Sequence, residues 1–120
     1  MKLLSEYDTK KVIKPWGSEY VVFRDKSNIS ITLLNINKNK NTSFHCHPNK
    51  KTGFILLSGS AIIKLGLEKN DEIKFRANSK LMIRPGLFHS IKSISKNLTL
   101  LEFETPVDKN DLVRLYDNYG

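Results

Sequence analysis

The stretch Phe44–Gly59, FHCHPNKKTGFILLSG, decides how this chain is read. It sets His45 and His47, two of only three histidines, one residue apart, and closes in an apolar run ended by Gly59. Side chains alternate along an extended segment, so His45 and His47 share one face while Phe44 and Cys46 take the other. Strand rise puts the two imidazoles about 6–7 Å apart, close enough to converge on one ion. The third histidine, His89, lies 42 residues after His47, just past the turn RPGLF, and a barrel could bring it to the same point. Neutral imidazole suits zinc, iron, nickel or copper, with geometry choosing among them. A polar strand face carrying two solvated imidazoles accounts for the same residues, and spacing alone leaves both readings open. Cys46, facing away from the pair, reads as a small buried hydrophobe.

Outward from this stretch the pattern is mostly period two, in short runs broken by turn residues at regular spacing. Strands are expected at Glu19–Arg24, Ile29–Ile36, Thr42–His47, Gly53–Leu57, Ala61–Leu65, Glu72–Arg76, Lys80–Ile83, His89–Ile94 and Leu98–Glu104. LSGSA around Gly59, EKNDE around Asn70 and RPGLF around Gly86 supply the turns between them. This is the signature of an all-β sandwich or barrel. Toward the end, in TPVDKNDLVRLYDNYG, Asp108 reads as an N-cap, and Leu112, Leu115 and Tyr116 recur at helical spacing. A short C-terminal helix packed on the sheet or on a partner subunit is the expectation there.

At 120 residues the chain is sized for one core. The formal charge of +8 would suit a polyanion. However, the lysines are scattered among Asn and Ser, with no basic helix and no aromatic-interleaved stripe, so no nucleic-acid partner is expected. No apolar run reaches the roughly 18 residues of a membrane span, and MKLLSEYDTKK lacks a signal-peptide core. A lone cysteine excludes an internal disulfide. The expectation is a cytoplasmic protein with no membrane partner.

Two motifs then make the chain recognisable. His45-Cys46-His47, four residues, Thr52, six residues and Gly59 resemble the first motif of the cupin superfamily, and Pro85-Gly86-Leu87-Phe88-His89 resembles the second. More closely, KPWGSEY (Lys14 to Tyr20) and the ending LLEFETPVDKNDLVRLYDNYG resemble the cupin domain of type II mannose-6-phosphate isomerases. The resemblance implies a double-stranded β-helix, a jelly-roll barrel, over residues 14–120, with 1–13 as an extension. It implies a divalent metal held by His45, His47 and His89: zinc first, with iron, nickel or manganese as alternatives. It also implies a sugar phosphate or sugar nucleotide as ligand, and a homodimer.

Aldose–ketose isomerisation needs a base beside the carbonyl and a group that stabilises the enediolate oxygens. Glu102 and Glu104 share one face of the last strand, LLEFETP, and are the candidate bases. The resemblance favours Glu102 as the inward, catalytic carboxylate, and the plainer reading has both lining the solvent face of the sheet. The cupin resemblance implies that Lys50, Lys51 and Arg84 lie near the rim of the site, where they could bind a phosphate. Trp16 could stack on a sugar, though an aromatic plug in the barrel is the plainer reading.

Two departures stand out. Thr52 occupies the position of the motif's carboxylate, and the Arg that follows Tyr-Gly in the family is absent. A non-catalytic carbohydrate-binding module is therefore a second reading. A three-histidine iron oxygenase is a third.

Overall fold

The computed structural model describes residues 11–25, 28–66, 71–107 and 110–116. The expected strands form, and every pairing among them is antiparallel. In chain order they are β1 (Lys11–Lys14), β2 (Gly17–Asp25), β3 (Ile29–Asn37), β4 (Phe44–Cys46) and β5 (Lys51–Ser58). There follow β6 (Ser60–Leu65), β7 (Asp71–Arg76), β8 (Lys80–Ile83), β9 (His89–Ser93), β10 (Asn97–Thr105) and β11 (Val113–Tyr116). A six-stranded sheet runs β1-β2-β3-β10-β5-β8 and a five-stranded sheet β11-β4-β9-β6-β7. This is the all-β, two-sheet architecture of a double-stranded β-helix. None of the described residues forms a helix long and apolar enough to cross a membrane.

The alternation that marks the strands also builds the core. Leu34 and Ile36 of β3, Phe54 and Leu56 of β5, Ala61 and Ile63 of β6, and Leu98 and Leu100 of β10 point inward and pack together. Trp16 is buried in the same cluster, as expected of an aromatic plug. Gly59, in the β5–β6 turn, has φ of +93°, and a Cβ there would lie 2.4 Å from the carbonyl oxygen of Asn97. Only glycine meets both demands.

Further toward one end, the inner face of the six-stranded sheet turns polar. Cross-strand register sets Thr32, Glu102 and Phe54 in one row, and Ser30, Glu104 and Thr52 in the next. Directly opposed residues share a face, so Glu102 and Glu104 both face the barrel interior. The outer face of this sheet carries apolar rows: Phe23, Ile31, Phe103, Gly53 and Met82, then Tyr20, Leu33, Leu101 and Ile55. A cavity of about 330 Å³ lies on that outer side, lined by Gly53, Ile55, Met82 and Phe103 among others.

Two features differ from the sequence expectation. The C-terminal helix is not formed: Val113–Tyr116 is strand β11, laid antiparallel on β4. A helix of one turn has little intrinsic stability, whereas β4 would otherwise present an open edge. Asp108, the expected N-cap, lies outside the described residues, as does the EKNDE turn through residue 70. The second difference is β1, which is not among the expected strands; it forms a hairpin with β2 and places residues 11–13 in the sheet.

Candidate metal centre

The convergence of the histidines follows from strand pairing. β4 and β9 are neighbours, and His45 stands directly opposite His89 in their register. His47 follows just beyond β4, where the chain turns into Pro48-Asn49-Lys50. One ligand nitrogen from each of His45, His47 and His89 lies within 4.8 Å of the others. Their ring centroids are 4.6–5.4 Å apart.

Each ring is oriented by a backbone carbonyl. Nδ1 of His45 lies 2.9 Å from the Ser43 carbonyl oxygen, with the Ser43 hydroxyl at the same distance. Nδ1 of His89 donates to the Leu87 carbonyl at 2.9 Å, and Nδ1 of His47 to the Asp111 carbonyl at 3.0 Å. A carbonyl oxygen only accepts, so each Nδ1 carries the hydrogen and each Nε2 keeps its lone pair. Carbonyl-oriented imidazole of this kind is the usual support of a histidine metal ligand. His89 is 1 % exposed, and its Nε2 has no partner among the described residues. A buried lone pair without a donor is costly, and a cation bound between the rings would satisfy it. The donor set thus fits a divalent ion.

Electrostatics favour the same state. Burial, then the neighbouring rings of His89 and His47, pushes His45 from 6.5 down to about 3. Burial, with the His47 ring and the Lys50 ammonium, takes His89 down to about 4 against the opposing Leu87 hydrogen bond. His47 is lowered too, chiefly by burial. All three rings are neutral at pH 7 and ready to coordinate.

Asp111 holds the loop that follows His47. Its carboxylate accepts hydrogen bonds from the backbone N–H groups of Asn49 and Lys50 and from the Asn49 side chain, at 2.9–3.0 Å. Burial works against its charge, but these donors prevail and hold its carboxyl below the usual carboxylate range. By sequence spacing alone Asp111 belongs to a helix start. No local signal could reveal its role, because its partners lie more than 60 residues away.

The other expected site residues divide. Lys50 is buried, 6 % exposed, and its ammonium forms an ion pair with Glu104. Lys51 is exposed at the start of β5. Arg84 is exposed and its guanidinium donates to the Pro85 carbonyl, while the Gly86 N–H two residues on bonds the His47 carbonyl at 2.8 Å. Of the residues flanking Arg84, Ile83 is buried but Met82 is 64 % exposed. Glu102 is half-buried on the inner face of β10. Burial, then the like charge of Glu104, raises its carboxyl from 4.5 to about 8, against the pull of Lys50. Cys46 is buried, as expected of a small hydrophobe.

Comparison with known proteins settles the family. A family profile described as mannose-6-phosphate isomerase C-terminal matches residues 4–117. The chain belongs to that family. It is thereby a cupin, and solved structures agree on the fold. A double-stranded β-helix protein from Klebsiella pneumoniae superposes with a TM-score of 0.72 at 12 % identity, covering 95 % of this chain and 91 % of that one. The cupin domain of Cnp3 from Schizosaccharomyces pombe gives 0.68 at 12 %, covering 75 % and 64 %. The capsular polysaccharide assembling protein CapF from Staphylococcus aureus gives 0.77 at 16 %, covering 93 % of this cupin but 35 % of CapF. No curated protein matches the chain in sequence.

Proposed function

We propose that this cupin binds a divalent metal through His45, His47 and His89 and acts on a phosphorylated sugar or sugar nucleotide, by aldose–ketose isomerisation or epimerisation. The observation that carries the reading is the set of three neutral, carbonyl-oriented imidazoles converging within 4.8 Å of one another, in a barrel whose inner face also carries Glu102. A bound ion would polarise a substrate carbonyl as a Lewis acid. Glu102 is the acid–base group: a carboxyl that titrates near neutrality can take a proton beside a carbonyl and return it to the neighbouring carbon. A phosphate is assigned to Arg84 and Lys51, both exposed, with Lys50 contributing once freed from Glu104. Zinc is the preferred ion for an all-imidazole set.

The test begins with metal analysis of protein purified without chelator. Metal is expected at one ion per chain and lost in His45→Ala. Loaded protein in D₂O should then exchange the C2 hydrogen of mannose 6-phosphate or a related hexose phosphate, and Glu102→Gln should not. A metal-free wild type whose His45→Ala variant binds ligands normally would refute the reading.

Thr52 favours a second reading, a carbohydrate-binding module without turnover. Thr52→Glu separates the two: higher metal affinity with no hydrogen exchange on any hexose phosphate supports the module.

The reading includes a homodimer. The apolar rows on the outer face of the six-stranded sheet, ending in the exposed Met82 and Phe23, support it, because soluble monomers seldom expose a continuous patch of that kind. Sedimentation velocity should show a dimer that Phe103→Lys dissociates.

A further inference from the structure

Thr52 leaves the motif without its carboxylate, yet the barrel supplies one nearby. Thr52 is 1 % exposed, and its hydroxyl oxygen has no partner among the described residues. In the register of β5 and β10 it stands directly opposite Glu104. Side chains opposed in this way have Cβ atoms about 4.5–5.5 Å apart and share one face. Glu104 is longer than Thr52 and lies on the same inner surface; its carboxylate, now held by Lys50, stands outside the group of ligand atoms that lie within 4.8 Å of one another.

Its present partner is also informative. Glu104 is held by the Lys50 ammonium, and both side chains are largely buried. The pair acts on the histidines through space: the Lys50 ammonium on the rings of His47 and His89, and Glu104 on that of His47. An ion pair removed from water is rarely kept for stability alone, because desolvation consumes most of the attraction. A buried carboxylate must nevertheless have a cation. Without metal that cation is Lys50, and a divalent ion between the imidazoles would offer a stronger one.

We infer that Glu104 replaces Thr52 as the carboxylate ligand of the metal centre, with Lys50 as the internal cation that holds it until the ion arrives. The inference rests on the metal-binding reading above and deepens it. Ion binding then transfers Glu104 from ammonium to metal and leaves the Lys50 ammonium unpaired at the site, available to an anionic substrate group. The metal–protein unit keeps one anionic ligand, so its charge is that of the motif's three-histidine, one-carboxylate arrangement despite Thr52.

Co(II) added to metal-free protein tests this by calorimetry and by the visible absorption bands of the bound ion. Glu104→Gln is expected to weaken Co(II) binding at least about 10-fold, the scale at which even supporting residues matter, and to shift the bands. Lys50→Met should strengthen binding, and Thr52→Ala should leave affinity and bands unchanged. Glu104→Gln strands a buried ammonium and could fold poorly, so Lys50→Met/Glu104→Gln, which removes both charges, is the companion variant. It should show the weakened affinity and shifted bands of Glu104→Gln. Wild-type bands in both Glu104 variants, at whatever affinity, would overturn the inference and leave the histidine site standing. A wild type that binds no Co(II) would overturn both.

Discussion

Glu102→Gln is expected to stabilise the metal-free protein at pH 7 by about 1–3 kcal/mol while lowering any isomerase turnover by at least about 100-fold. The carboxyl is raised from 4.5 to about 8, first by burial and then by the like charge of Glu104. Between those two pH values the folded chain holds a proton that the unfolded chain has released. Stability therefore falls as pH rises through this window. Every pH unit crossed within it costs about 1.4 kcal/mol, and the lower figure above allows for solvent reaching part of the residue. Glutamine keeps the shape and removes the ionisation, so the gain should vanish by pH 4.5. Urea titrations of both proteins at pH 4.5, 7 and 8 check the sign and the window. Equal midpoints at pH 7 would mean that the carboxyl is solvated. A group kept at a cost to stability and tuned toward neutrality is what acid–base chemistry demands.

The second large effect is acid lability of the metal-free protein. His45 and His89 are depressed to about 3 and about 4. As pH falls below 6.5 the unfolded chain takes up protons that the buried rings refuse, so folding stability drops through the interval down to about pH 4. Between pH 7 and 4.5 the loss should be on the order of 2–5 kcal/mol, the two rings being coupled. Glu102 works in the opposite direction above its ordinary value of 4.5, and Asp111, held low, contributes its own loss only below about 3.8. The measurement is cleanest in the Glu102→Gln background, where the slope should steepen. Replacing His45 by Asn should flatten it, and a denaturation midpoint independent of pH from 7 to 4.5 would contradict the burial of the rings.

The barrel is legible in the sequence because its strands alternate. β3, with every second residue buried, shows that signal most clearly. The site is legible for a related reason: His45 and His47 sit at strand spacing, and His89 follows a Pro-Gly turn. What stays hidden depends on long-range register. Lys50 looks like any surface lysine until β5 and β10 bring Glu104 to it. Asp111 looks like a helix-starting residue until β11 carries it to the Asn49–Lys50 loop. Leu112, Leu115 and Tyr116 match helical spacing, yet so short a pattern is overruled by the open edge of β4.

The dependence of His47 on Asp111, 64 residues downstream, has a consequence for biogenesis. Synthesis runs from the N-terminus, so His45, His47 and His89 all leave the ribosome before the segment that aims one of them and covers β4. The nascent barrel is thus unable to present a finished chelating face until residues 111–116 have emerged. On the metal-binding reading proposed above, the complete three-imidazole arrangement would meet an ion only once residues 111–116 have joined β4.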